Sequence, residues 1–390
     1  MLKRTKWFVW GVTLLSFFPI GLAAQGFVYT NDDLTTTNYI SAYSVDANGI
    51  PGAISGSPFA TGGSGSGESL YSPNRIIIVN NFLYASNSGS NSISAFTISG
   101  TGYLTAVSGS PFSTGAFNDS SNGSGISLAA TPDGMYLYAG STGLLGQITI
   151  FSIDATGALT IVDNSPVAAD GPMSSLKVSP DGHYLLAAIF KSSEISVYAI
   201  RKSGALREIH GSPYVLTSGA VTSVDFNCGG TLLYAGGPTG NIYVFNFASG
   251  KLTPATGSPF ATGIGSNQVV VLSAKDATLF SSNQGSNTVT AFALDANGGL
   301  TVPGTSVYAD GSDTVATSPG GLAVSSDGQF LFSADSTLDA SGHSGLSSFV
   351  VGGASPIVFV SLNSTGLAPG LQSLAAYPAK ACVAPAGKVH

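Results

Sequence analysis

From residue 26 onward the chain is a series of short apolar runs separated by Gly, Ser, Asn and Thr turns, and the runs recur. An aliphatic residue stands three positions before an aromatic at Ile40–Tyr43, Ile93–Phe96, Ile148–Phe151, Ile195–Tyr198, Ile242–Phe245, Val289–Phe292 and Leu346–Phe349. The aromatics step by 53, 55, 47, 47, 47 and 57 residues, which makes seven units. A second run precedes this pair, as in Phe27-Val28-Tyr29, Leu83-Tyr84-Ala85, Leu137-Tyr138-Ala139, Leu233-Tyr234-Ala235, Leu279-Phe280-Ser281 and Leu331-Phe332-Ser333. Gly-Ser-Pro-Phe follows it at 56–59, 109–112 and 257–260. It relaxes to Asn164-Ser165-Pro166-Val167 and Gly211-Ser212-Pro213-Tyr214, with echoes at 305–308 and 354–357.

A fourth run opens the unit and ends in a turn, Pro-Asp-Gly at 132–134 and 180–182 and Ser-Ser-Asp-Gly at 325–328. Proline presets φ, Asp bonds the local backbone and Gly takes the closing position. Each unit is therefore predicted to hold four short antiparallel strands, A to D, and seven such units of about fifty residues predict a seven-bladed β-propeller. Strand C, as in Ile93-Ser94-Ala95-Phe96-Thr97-Ile98, carries bulky groups on both faces, which suits a sheet packed between two neighbours. A β-helix has shorter rungs, and a two-sheet sandwich does not need seven copies. The first unit lacks a strand A, while Gln372 to Pro378 matches Ile126 to Pro132. The C-terminal segment is expected to supply that strand and close the ring, leaving no unpaired blade edge.

Composition supports an all-β class. Charged residues make up only 8% of the 390, against 43% hydrophobic, and there are just three Glu, at 68, 194 and 208. Amphipathic helices usually carry Glu, Lys and Arg on their wet faces. The net charge of −7, without a basic cluster suited to a phosphate backbone, argues against nucleic-acid binding. Lys3, Arg4 and Lys6, the apolar stretch Trp7–Ile20 and the small residues Gly21-Leu22-Ala23-Ala24 have the pattern of a signal peptide over 1–24. That stretch is shorter than a spanning helix needs. The expected organisation is a leader, a propeller over 25–380 and a tail over 381–390. The expected location is secreted, periplasmic or cell-surface, with no membrane span after leader removal. Cys228 and Cys382 allow one bridge in an exported chain or two separate thiols.

The Leu-Tyr-Ala-Ser-Asn, Asn-Ser-Ile-Ser-Ala-Phe and Gly-Ser-Pro-Phe segments resemble the YVTN-type propeller repeat and, more broadly, the lactonase family of seven-bladed propellers. That family includes the propeller-type 6-phosphogluconolactonases. The resemblance spans residues 26 to about 380. It implies the fold; for activity it implies His, Arg and carboxylate groups in the central channel. The matching residues are turn and packing residues, and function must be argued from the site.

A lactonase needs a group to activate water and a cation or donor to hold the oxyanion. His183 follows a Pro-Asp-Gly turn and His210 precedes Gly-Ser-Pro-Tyr, which places both away from the D–A and B–C loops; His390 is terminal. His343, in the loop after strand B of the seventh unit, can reach the functional rim. Arg75 opens strand A of the second unit near the channel mouth, with Glu68 seven residues earlier; the pair is expected to form a surface ion pair or no contact. Arg201 and Arg207 flank an outer hairpin. Asn31, Asn87, Asn283 and Asp335 recur at the end of strand B and are expected to cap the B–C turn. No spacing matches a calcium loop or a zinc site, so no metal or other cofactor is expected. The candidate binding rim is Glu68, Arg75, Asp119, Asp335 and His343, with no complete catalytic set. Its weakly charged loops suit a neutral polar ligand, a glycan or a protein, and a monomer is expected. The competing reading is a hydrolase of sugar lactones.

Overall fold

The computed structural model describes residues 26–67, 74–115, 125–141, 146–190, 192–217, 219–264, 267–272, 277–312, 319–335, 344–352, 355–364 and 373–379. They form seven antiparallel sheets, one per repeat. In blade two the order is Ile76–Val79 (A), Phe82–Asn87 (B), Ser92–Ile98 (C) and Leu104–Ala106 (D). The remaining blades repeat it, with A strands at Ile126–Ala130, Met173–Val178, Ser223–Phe226, Asn267–Leu272 and Pro319–Val324 for blades three to seven.

Ring closure follows the expected route. Ser373–Tyr377 pairs antiparallel with Gly26–Asn31, in the register Phe27↔Tyr377 to Asn31↔Ser373, so the last strand is strand A of blade one. Phe27 stacks on Tyr377 across that seam, with ring centroids 6.4 Å apart.

The aliphatic–aromatic pairs form the core between blades. All seven aliphatic members, from Ile40 to Leu346, are completely buried, and the seven aromatics are at most 5% exposed. Tyr84, Ile93 and Ala95 of blade two pack with Leu128, Leu137 and Phe151 of blade three in one cluster. Strand C thus buries both faces, and dehydration of this apolar area drives the ring together.

Two repeat motifs have specific bonds. The serine of Ser-Pro accepts a hydrogen bond from a strand C amide: Ala42 N–H to Ser57 Oγ at 2.8 Å, Ala95 to Ser110 at 2.9 Å, Ile150 to Ser165 at 2.8 Å, Val197 to Ser212 at 2.9 Å and Val244 to Ser258 at 2.9 Å. The motif divides strand D into two short pieces. In blade one Pro51–Ala53 pairs one half of strand C and Phe59–Ala60 the other. Blade six keeps the first piece only as a bridge, Leu300 to Leu294, ahead of Thr305–Tyr308, and blade seven has the single strand Ile357–Ser364.

The strand B tyrosine binds the next blade. Tyr29, Tyr84, Tyr138 and Tyr234 donate their hydroxyls to the carbonyls of Gly102, Gly157, Gly204 and Gly298 at 2.9–3.1 Å. Those glycines close the C–D hairpins at φ between 78° and 83°, a region that costs glycine little. The Pro-Asp-Gly turn also behaves as expected: Asp133, Asp181 and Asp327 each accept the backbone N–H two residues on, at 3.0 Å. Cys228 is disulfide-bonded, which removes the two-thiol alternative; the other cysteine in the sequence, Cys382, lies outside the described residues.

Candidate functional site

The rim where B strands end and A strands begin was expected to carry the binding residues. Glu68, Asp119 and His343, together with the segments 1–24 and 381–390, lie outside the described residues. Arg75 and Asp335 are described, and both are fully buried.

Arg75 forms an ion pair with Asp33 of blade one, and neither side chain is exposed. Asp33 sits just past strand B at φ 51°, a conformation Asp tolerates better than most residues. It also accepts the Ser66 amide at 3.0 Å and the Ser66 hydroxyl at 2.7 Å. The Arg75 backbone N–H donates to Ser373 Oγ at 3.0 Å, and its carbonyl accepts from Asn31 Nδ2 at 3.1 Å. Arg75 is therefore a buried tie between blades one and two, not the surface pair expected for it.

Asp335 accepts hydroxyl bonds from Ser333, at 3.1 Å to Oδ1, and from Ser347. Register identifies the matching residues in other blades. Ala334 faces Leu346, Ser86 faces Ile93, Ser282 faces Val289 and Asn31 faces Ile40. The residue after each of these is Asp335, Asn87, Asn283 and Asp32. Asp32, not Asn31, thus belongs to the recurring set, a one-residue correction caused by the repeated Asn-Asp pattern at that strand end.

Bonding confirms the alignment. Asp32 accepts Thr30 Oγ1 at 2.7 Å and Ser41 Oγ at 2.8 Å. Asn87 Nδ2 donates to Ser94 Oγ and Asn283 Nδ2 to Thr290 Oγ1, both at 2.8 Å. The set anchors strand C hydroxyls, rather than the turn backbone that was expected. Burial pushes the Asp32 carboxyl up to about 7 against the lowering effect of its hydroxyl partners, and pushes Asp335 well above the usual carboxylate range. Asn31 has its own role: Nδ2 donates to Ser86 O at 2.8 Å, and Oδ1 accepts Asn38 Nδ2 at 2.9 Å.

The innermost strands carry one ion pair that sequence reasoning missed. Lys177 of blade four places Nζ 2.7 Å from Asp225 Oδ1 of blade five. Asp225 Oδ2 accepts the Leu272 amide of blade six at 3.0 Å, so one carboxylate links three consecutive blades. The lysine is 41% exposed and the carboxylate 8%. Asn74 Nδ2 donates to Leu176 O at 2.9 Å, so the amide bridges blade two to the inner strand of blade four. The common strand position of Lys177 and Asp225 was the available signal, legible only after the registers were aligned.

His183 is exposed beside Asp181, with Nδ1 to Oδ2 at 3.2 Å, and His210 is exposed at the outer edge, as their motifs indicated. Among the described residues no group of three His, Cys, Asp or Glu is placed to hold a metal ion. No described helix is long and apolar enough to cross a membrane.

Comparison with known proteins agrees with this architecture. The family model for the lactonase seven-bladed β-propeller matches residues 37–223, and that for the WD domain G-beta repeat matches 206–246. A putative 6-phosphogluconolactonase from Bacteroides fragilis is 17% identical with a TM-score of 0.68, covering 90% of this chain and 98% of that one. The periplasmic gluconolactonase of Pseudomonas aeruginosa gives the same four values. A protein from Lactobacillus plantarum reaches a TM-score of 0.65 at 17% identity, covering 90% of this chain and 98% of that one. No curated protein matches the chain. Identities this low establish shared architecture alone. The chain is a lactonase-like seven-bladed β-propeller, with the family likeness carried by residues 37–223.

Proposed function

We propose that this propeller is an exported binding protein, acting outside the cytoplasm as a rigid display scaffold rather than as a hydrolase. The observation that carries the reading is the burial of Arg75. The one cation expected at the channel mouth is fully enclosed and paired with Asp33, so it holds blades together instead of facing a substrate oxyanion. Asp335 is likewise enclosed, between two serine hydroxyls. A buried ion pair is costly to break, because removing one member strands the other charge away from water. The basic, apolar and small-residue order of residues 3–24 supports export.

A lactone hydrolase is the second reading. It is favoured by the family match and by the partly exposed Lys177 on the inner strands, an ammonium that could hold an anionic substrate. The two separate in one assay. Purified protein is incubated with phosphorylated and unphosphorylated aldonolactones, and acid release is followed against spontaneous opening. The binding reading expects no acceleration. Turnover above background that is lost in Lys177→Met establishes the hydrolase instead.

A further inference from the structure

The seven-fold repeat supplies an internal control: a side chain required by the scaffold recurs, whereas one serving a ligand need not. One departure lies on the outer edge between blades four and five, where a groove of about 690 Å³ opens. Its walls bring together Arg207 and His210 from blade four and Lys251 from blade five, with Tyr184 and Tyr214 beside them. No lining residue is acidic. All three basic side chains are exposed and both tyrosines are half-buried.

Sister blades lack these charges. The residue matching Arg207, fixed by its pairing across strand C, is Gly52, Thr105, Thr160 and Thr253 in blades one, two, three and five. His210 stands two residues before the serine of Ser-Pro, a place held elsewhere by Ser55, Ser108, Asp163 and Thr256. After the hairpin glycine, where Lys251 stands, come Ile50, Tyr103, Ala158, Ala205 and Gly299. Packing therefore does not call for any of the three, and the scaffold accommodates small neutral residues at each site. The concentration also runs against composition, since the chain has 13 Lys and Arg against 20 Asp and Glu. Glu208, beside Arg207 in the chain, is not among the lining residues; its carboxyl bonds Ser212, and burial raises its pKa.

We infer that this groove binds an acidic saccharide, with Arg207, His210 and Lys251 holding uronate carboxylates and Tyr184 and Tyr214 flanking the sugar rings. Guanidinium and carboxylate match as a planar, charge-assisted pair. Tyrosine offers an apolar ring face with a polar tip, which suits the C–H faces and hydroxyls of a pyranose. The volume falls in the range of small-ligand sites and exceeds what a single inorganic anion fills. The groove lies away from the inner strands, so its ligand and any lactone chemistry are separable.

The test is calorimetric titration with trigalacturonate, using galactotriose, inorganic phosphate and a single-stranded oligonucleotide as comparison probes. The variant Arg207→Thr/His210→Ser/Lys251→Ala takes residues from sister blades; its fold is checked by its melting curve. Saturable trigalacturonate binding is expected, weakened by about tenfold or more in the variant and by added salt. Galactotriose is expected to bind far more weakly. The inference is overturned if trigalacturonate does not bind or binds the folded variant as well as the parent. It is overturned equally if galactotriose, phosphate or the oligonucleotide binds as tightly. A site confined to the channel would leave the variant's affinity unchanged, so failure here is distinct from failure of the binding-protein reading.

Discussion

Blades six, seven, one and two differ from blades three, four and five at the position where strand B ends or has just ended. On the first arc it is Asn283, Asp335, Asp32 and Asn87, each buried and bonded to a strand C hydroxyl. On the second arc register places Ser141, Ile189 and Gly237 there. There Thr149 Oγ1 donates to Thr114 O at 2.8 Å, as Ser94 Oγ of blade two also donates to Thr61 O at 2.7 Å, and Ser196 Oγ donates to Asp170 Oδ2 at 2.6 Å. One arc holds its strand ends by enclosed polar groups, and the other carries the cations that are exposed among the described residues. The comparison teaches that polar groups at the rim of a propeller can be internal structure, while binding chemistry is better sought where one blade departs from its sisters.

The largest expected change comes from making blade one resemble blades two and six. Asp32→Asn keeps the hydroxyl partners and removes a carboxyl that is hard to ionise. The folded pKa of Asp32, about 7, lies above the unfolded value, so its stabilising proton is fully held below pH ~4 and is lost as pH rises through 7. The parent is expected to lose about 4 kcal/mol between those limits through this group. Urea unfolding across pH should show the Asp32→Asn variant gaining on the parent as pH rises, with the difference level above about pH 8. A pH-independent difference would show that Asp32 titrates normally.

A smaller effect tests the serine clamp that blades one to five share. Ser110→Ala leaves the buried Ala95 amide without its 2.9 Å acceptor, which is expected to cost about 1–3 kcal/mol in urea unfolding. An unchanged midpoint would mean that the Ser-Pro repeat reflects turn geometry alone. The smallest effect concerns the blade-to-blade hydroxyl. Tyr84→Phe matches the aromatic already present at Phe280 and Phe332, and removes the 3.1 Å bond to Gly157 O for about 1 kcal/mol. A loss several times larger would indicate that the hydroxyl organises more of the seam than one bond.

These positions also mark what the sequence made legible. Seven blades, four strands each and the closing C-terminal strand were readable because packing and turns impose the same residues on every repeat. Pairing between repeats was not. Arg75 pairs with Asp33, 42 residues away in the previous blade, a contact that no spacing along the chain announced. Lys177 and Asp225 are 48 residues apart and meet only because adjacent inner strands align. The shift from Asn31 to Asp32 arose because adjacent Asn and Asp suit a strand end equally until register is fixed. Arg207, His210 and Lys251 form no motif along the chain; they become a group when two blades fold against each other.

The central claim is that the rim cation is structural, and a double-mutant cycle on Asp33 and Arg75 tests it most directly. Asp33→Asn suits the positive φ, and Arg75→Met keeps most of the side-chain stem. Urea unfolding at neutral pH should show each single variant destabilised by about 3–5 kcal/mol, because each removes one member of a buried ion pair. The double variant should lose much less than the sum. If Arg75→Met alone leaves stability unchanged within about 0.5 kcal/mol, the arginine is not a buried tie, and the case for a catalytic or ligand-facing cation at the channel mouth reopens.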